Sequence, residues 1–264
     1  MKVTLITGAT SGIGEAVAHQ LAGKKHNLLL VARNEQKLKH LCSVLADKHK
    51  IGADYIVTDL SKTHAPNYIY DESKKKNLVV NILINNAGMG SSGVFVKNDL
   101  QTELEILQIN NSAMVALCHL FLPAMMSNES GSIINVGSMA SFFPSPYMSV
   151  YAASKMFVLS FTEALTEECR PYGVQVMLFC PGLTTSNFMN TPSNDNEWGK
   201  VLTAGANTQT PEQVATEMIR ALEKKKTFQV SGRLNAAATK ILSLIPNTII
   251  AKQFAKSKRK QMGK

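Results

Sequence analysis

The chain has 264 residues, of which 45% are hydrophobic and 18% charged, with 16 Gly and 9 Pro. That length suits one large domain or two small ones around a sizeable core, and the composition excludes wholesale disorder and collagen-like or proline-rich chains. The formal net charge of +9 is uneven, because residues 220–264 hold 12 Lys/Arg against one acid and the preceding residues hold 16 Lys/Arg against 18 Asp/Glu. A near-neutral body with a basic end argues against a general nucleic-acid surface and sets the tail apart.

Met1 to Gly8 offers too short an apolar run for a signal peptide, and no apolar run nears the roughly 20 residues of a membrane span. Short runs rich in leucine or β-branched residues at 3–6, 28–31, 55–57, 79–84, 132–136 and 174–179 predict strands buried on both faces. Between them, helical periodicity predicts helices near 13–23, 35–48, 100–126, 152–170 and 212–224, with a weaker one at 62–77 broken by Pro66. Thr210-Pro211-Glu212-Gln213 reads as a cap followed by proline at the first helical position. The alternation predicts an α/β fold: a single Rossmann-like, doubly wound parallel sheet with helices on both faces, over residues 1–232. Residues 233–264 form a basic amphipathic C-terminal extension, expected to be partly disordered at its end. Cys42, Cys118, Cys169 and Cys180 lack metal-ligand spacing. They read as small buried hydrophobes in a reducing cytoplasm, with no metal site.

Directly after the first strand, Thr7-Gly8-Ala9-Thr10-Ser11-Gly12-Ile13-Gly14 opens the first helix. Glycines there let the backbone turn tightly and approach a pyrophosphate, while the helix N-terminus offers free N–H groups. A bare strand-to-helix turn would also need glycine. Glu15 follows Gly14, where a P-loop would require lysine, so the pattern favours a dinucleotide over ATP or GTP.

Tyr151 and Lys155 lie four residues apart, on one face of a predicted helix. A neighbouring ammonium favours a phenolate and so lowers a tyrosine pKa toward the range useful for proton transfer. Such pairs are also common on solvated surfaces. Ser138, thirteen residues upstream of Tyr151, follows the strand at 132–136, on the sheet edge where such folds bind ligands.

These residues, with Asp59-Leu60, Asn85-Asn86-Ala87-Gly88, Asn110 and Pro181-Gly182, occur in the order of the short-chain dehydrogenase/reductase family, which the chain resembles over its first 230 or so positions. The resemblance implies hydride transfer between a nicotinamide cofactor and a carbonyl or alcohol. It implies that Tyr151 donates a proton, Ser138 polarises the carbonyl oxygen, and Lys155 lowers the tyrosine pKa and holds the nicotinamide ribose. Asn110 would anchor a water beside the lysine. Gly8, Thr10, Ser11, Gly12, Ile13, Gly14, Asp59, Leu60, Asn86, Ala87 and Gly88 would cradle the cofactor, with Pro181, Gly182 and Thr184 at the nicotinamide. For Asp59 a capping role is open, and for Asn85 a purely structural one. Gly137 departs from the family pattern, where many members carry a second serine.

The second strand runs into Ala32-Arg33, with no acid to hold ribose hydroxyls and a guanidinium suited to a 2′-phosphate. NADP(H) is therefore expected over NAD. The apolar segment 139–148 suits an apolar carbonyl substrate, and the resemblance implies that the polar, irregular residues 187–209 form the substrate lid, with Phe188, Met189 and Trp198 as candidate lining. Retention of Asn110, Ser138, Tyr151 and Lys155 disfavours the alternative, a non-catalytic cofactor-binding or membrane-associated protein on the same fold. Excess apolar residues on helices 100–126 and 152–170 predict a homodimer or homotetramer. In the tail, Leu234, Ala237, Ala238, Ile241, Leu242 and Ile245 form a stripe expected to dock on the protein, with membrane contact at most peripheral.

Overall fold

In the computed structural model, which describes residues 1–186, 188, 191, 193, 194, 196–203 and 208–263, the continuous apolar runs become strands covered on both faces. These are β1 (Lys2–Thr7), β2 (Leu28–Ala32), β3 (Ala53–Val57), β4 (Val79–Asn85), β5 (Gly131–Val136), β6 (Val174–Cys180) and β7 (Phe228–Val230). They form one parallel sheet in the order β3-β2-β1-β4-β5-β6-β7. The order reverses between β1 and β4, and a crevice opens there at the carboxyl ends of the strands.

One face packs on α1 (Gly12–Gly23) and α2 (Glu35–His49), and on a helix near the C-terminus. Along α2 the buried residues Leu38, Leu41, Cys42 and Leu45 recur at helical spacing, and Asn34 starts it by accepting the Lys37 N–H at 2.9 Å. The opposite face packs on α3 (Ala65–Lys75), α5 (Ala113–Ser127) and α6 (Ser149–Cys169). Ahead of α5 lie α4 (Leu100–Leu107) and one turn of π-helix, Gln108–Ser112. Further on are α7 (Glu197–Thr203), α8 (Pro211–Glu223), α9 (Arg233–Leu242) and α10 (Asn247–Gln261). It is α8 that completes the first face, its start fixed by the reciprocal Thr210–Gln213 capping box.

Four sequence expectations need correction. Pro66 does not break a helix: it sits in the first turn of α3, where a missing N–H costs nothing. The predicted helix at 100–126 is interrupted by the π-turn. By length and composition alone, Leu100–Ser127 is apolar enough to cross a membrane. Its polar Gln108, Asn110, Asn111 and Ser112 disguise this in the sequence, and Leu117, Cys118, Phe121 and Met125 are in fact buried against the sheet. Strand β7 was not predicted, because three residues carry no readable periodicity.

The tail is the fourth. Helix α9 docks through Ala236 and Thr239, and the predicted apolar stripe lies at the edge of that contact, with Ala238 and Leu242 half-buried and Leu234 72% and Ile241 62% exposed. The chain is helical from Asn247 to Gln261. Lys258 in α10 donates to the Val201 carbonyl at 2.8 Å, and Phe254 packs beside Phe143 with ring centroids 6.2 Å apart.

All four cysteines are free and buried. Within the apolar layer under α5 and α6, Asn85 donates to Asn135 at 2.8 Å, Asn135 to Thr162 at 3.1 Å, and Thr162 to the Val158 carbonyl at 2.6 Å. A buried polar network of this kind is costly to break, since the surviving partner keeps its desolvation penalty. Asn135→Leu keeps the branched shape but leaves the Asn85 amide with only the weak Cys118 sulfur as acceptor, so urea unfolding is expected to show a loss of about 1–3 kcal/mol.

Candidate active site

The crevice floor is built by the ends of β1 and β4. The Thr7 hydroxyl accepts the backbone N–H groups of Asn86 and Ala87, both at 3.0 Å. The Asn86 side chain in turn donates to the carbonyls of Thr7 at 2.9 Å and Gly8 at 3.2 Å. Gly8 and Gly12 have φ of +66° and +56°, and a Cβ on Gly14 would collide with the Gly8 carbonyl. The turn is therefore tight for want of side chains, as the sequence implied. Ser11 caps α1 with extended backbone, yet its hydroxyl makes no capping hydrogen bond, so the first-turn N–H groups are offered to the crevice.

Around this turn the other predicted cofactor residues have mixed placements. Thr10 lines a cleft of about 170 Å³ with Glu15, His19, Lys37, His40, Leu41 and Val44. Arg33 is exposed at the end of β2 and makes no ion pair among the described residues. The Asp59 carboxylate accepts the Ser61 N–H at 3.0 Å in a turn ahead of α3, whose own N-cap is His64. Leu60 is buried in the core, and Ile13 and Ala87 pack at its edges, so these three shape the crevice wall. Thr184 donates to the Gly182 carbonyl at 3.2 Å.

Beyond β5 the chain brings Ser138, Tyr151 and Lys155 together. Ser138 starts a short 3-10 turn, with its hydroxyl accepting the Ala140 N–H at 3.1 Å, and it is hydrogen-bonded to the Tyr151 side chain. The ammonium of Lys155 is buried and donates to the Val136 carbonyl at 2.9 Å. It lies 5.9 Å from the centroid of the Tyr151 ring. Burial draws the Lys155 pKa down to about 8. Burial also pushes the Tyr151 phenol up, with the Ser138 hydrogen bond opposing it. The lowering expected from Lys155 does not enter this arrangement, in which the ammonium donates to a backbone carbonyl and burial dominates the phenol.

Asn110, in the π-turn, binds both sides of the Met89 peptide at 3.0 Å and donates to the Ser154 hydroxyl at 2.9 Å. Ser154 donates onward to the Tyr151 carbonyl at 2.7 Å. A Cβ on Gly88 would sit 3.3 Å from Asn110 Oδ1 and 3.5 Å from Lys155 Nζ, so this glycine keeps the space between them open. The irregular turn that aims Asn110 inward is the kind of helix defect found at functional sites.

Several site residues escaped the sequence reading. Cys180 lies behind Gly137, where a Cβ would come within 2.8 Å of its Sγ. The glycine that departs from the family pattern is thereby explained: the thiol fills the space of the missing side chain. Asn235 of α9 backs Gly182 so closely that a Cβ there would strike its amide, and it is tied to the Ser231 carbonyl at 2.8 Å. On the opposite wall Phe188 lies against Tyr151 with ring centroids 5.5 Å apart, and Tyr147 stacks on Trp198 at 3.7 Å. Met189 falls outside the described residues. The segment is pinned to the loop after β4, with Ser193 and Asn194 donating to the Gly90 carbonyl at 2.9 and 3.0 Å and Asn196 to that of Ser92 at 2.9 Å.

Comparison with known proteins agrees with this geometry. A family model described as short chain dehydrogenase matches residues 2–198. Dehydrogenase/reductase SDR family member 7B of Xenopus tropicalis is 30% identical over 267 residues, covering 98% of this chain and 86% of that protein. A very-long-chain 3-oxoacyl-CoA reductase of Lodderomyces elongisporus is 32% identical over 191 residues, covering 69% of this chain and 55% of its own length. Among solved structures, a short-chain dehydrogenase from Sphingobium yanoikuyae in complex with NADPH superimposes with a TM-score of 0.81 and 26% identity, covering 93% of this chain and 96% of that one.

The depressed lysine carries a signed consequence. Between about pH 8 and the ordinary lysine value of 10.5, the unfolded chain holds a proton that folded Lys155 has released. Folding stability from this group therefore rises with pH across that window, at about 1.4 kcal/mol per pH unit at most. Urea titrations of the wild type and Lys155→Met from pH 7 upward should show their difference shift in favour of the wild type above about pH 8.

Proposed function

The chain belongs to the short-chain dehydrogenase/reductase family, and from that premise we propose that it reduces an apolar carbonyl compound with NADPH. The observation that carries the proposal is the convergence of Ser138, Tyr151 and buried Lys155 at the carboxyl ends of β5 and β6, facing the glycine turn across the crevice. When bound, the nicotinamide cofactor supplies the hydride. The chain's own residues handle the proton and the charge.

In this reading Tyr151, kept protonated by burial, donates its phenolic proton to the carbonyl oxygen as negative charge develops there. Ser138 donates a hydrogen bond to the same oxygen and stabilises that charge. Lys155 and Tyr151 hold the nicotinamide ribose, and the ammonium then exchanges the Val136 carbonyl for stronger acceptors. Asn110 acts through Ser154 and the Met89 peptide as a positioning residue.

The remaining cradle suits the cofactor: Gly8, Gly12 and Gly14 admit a pyrophosphate, α1 offers uncapped N–H groups, and Gly88, Pro181 and Gly182 leave room at the nicotinamide end. Unpaired Arg33, with Ala32 in place of an acid, supports NADPH over NADH. The NADPH complex of the Sphingobium relative points the same way. For the substrate, Phe188 beside Tyr151, together with the stacked Tyr147 and Trp198, favours an apolar carbonyl compound. Leu100, Leu104 and Leu107 of α4 and Phe157 of α6 remain exposed, and we assign them to a two-fold contact between copies of the chain.

Tyr151→Phe is expected to lower turnover of a ketone panel by about 10²–10⁴-fold while leaving NADPH quenching titrations nearly unchanged. A variant with half the wild-type rate would remove the tyrosine from the mechanism. Arg33→Ala should weaken NADPH by about tenfold or more and leave NADH almost untouched. Equal wild-type efficiency with the two cofactors would overturn the preference.

A further inference from the structure

The docked and exposed faces of the tail differ in chemistry. Helices α9 and α10 meet at a bend of 119° around Pro246. Their inner faces are accounted for: Thr239 and Ile250 are buried, Phe254 packs near Phe143, and Lys258 holds the Val201 carbonyl. The outer face of the elbow carries Leu234, Ile241, Leu244, Ile245 and Ile249, with Leu244 84% exposed. Spacings of seven and three residues align Leu234, Ile241 and Leu244 on one side of α9 and its continuation.

Past Ile249 the same outward stripe of α10 turns basic, with Lys252, Lys256 and Lys260 exposed. Residues 233–264 contain eight Lys/Arg and no acid, while residues 1–219 are near neutral. An apolar corner continued by a cationic arm is complementary to a surface that is anionic outside and hydrocarbon beneath. The body of a second copy is near neutral, with 16 Lys/Arg against 18 Asp/Glu in residues 1–219, and so offers the basic arm little net attraction.

We propose that the α9–α10 elbow is a docking surface for anionic phospholipid bilayers. The aliphatic corner inserts at the headgroup–acyl boundary, and the lysines of α10 lie along the headgroups. Docking leaves the protein on the membrane surface, with Phe143 and α7 on the bilayer-proximal side. It is independent of the proposed chemistry, because it uses none of the residues at the crevice.

The test is co-sedimentation of the full-length chain with phosphatidylcholine vesicles, with and without phosphatidylglycerol. Binding should require phosphatidylglycerol and be released by salt, as expected for charges within a Debye length of the surface. Ile241→Glu combined with Leu244→Glu should cut the partition coefficient about tenfold or more. Its thermal melt should be unchanged, since both side chains are exposed. Lys252→Glu with Lys256→Glu should abolish the dependence on phosphatidylglycerol. Absence of binding, or equal binding to both vesicle types, would overturn the proposal. So would sedimentation velocity in which the double glutamate variant converts an oligomer to a monomer, since the elbow would then seat a second copy.

Discussion

Everything on the ligand side of this fold depends on how closely the end of β1 approaches the end of β4. The strand order reverses at this point, and the two crossovers leave for opposite faces of the sheet. Two side chains span the gap, the Thr7 hydroxyl on two N–H groups and the Asn86 amide on two carbonyls. The clamp works only because Gly8 and Gly14 lack side chains. From it a connected set of contacts runs to the tyrosine. Gly88 separates Asn110 from Lys155, Asn110 binds Ser154, and Ser154 binds the Tyr151 carbonyl. These contacts tie the glycine turn to the start of α6, which carries Tyr151.

The two titratable groups beside Ser138 are held in opposition to their solvation. A buried ammonium with one carbonyl acceptor is poorly compensated, and its lowered pKa expresses that cost. The raised tyrosine is the converse case, since burial disfavours its charged form and keeps the proton on the oxygen. One site therefore holds a phenol that keeps its proton beside a cation short of acceptors. Such a site gains stability from any ligand that brings hydroxyl or phosphate oxygens, and the apolar layers on both faces of the sheet offset the deficit meanwhile.

The strands and the glycine turn were legible in the sequence because one physical cause, burial on two faces or a missing Cβ, acts at each position. Motif spacing likewise anticipated the grouping of Ser138, Tyr151 and Lys155. What was not legible depends on contacts remote in the chain. Nothing near Gly137 announces Cys180, and nothing near Gly182 announces Asn235. The direction of the Tyr151 shift follows from how deeply it is buried, which an i, i+4 spacing does not encode. Asn110 was recognisable by family pattern, but the π-turn that aims it inward is invisible to a 3.6-residue period.

The docking of α9 shows how a periodic stripe misleads. Hydrophobic spacing identifies a helix, but which face docks is set by the surface it meets. Behind Gly182 stands Asn235, and Ala236 packs on the core, so α9 meets the body through a polar and a small side chain while Leu234 and Ile241 stay exposed. Beyond the bend, α10 has one face on Val201 and Phe143 and the other lined by lysines. A helix with its side chains is about 10–12 Å across. Whatever engages the basic face is thus separated from α7 and Phe143 by the width of a single helix.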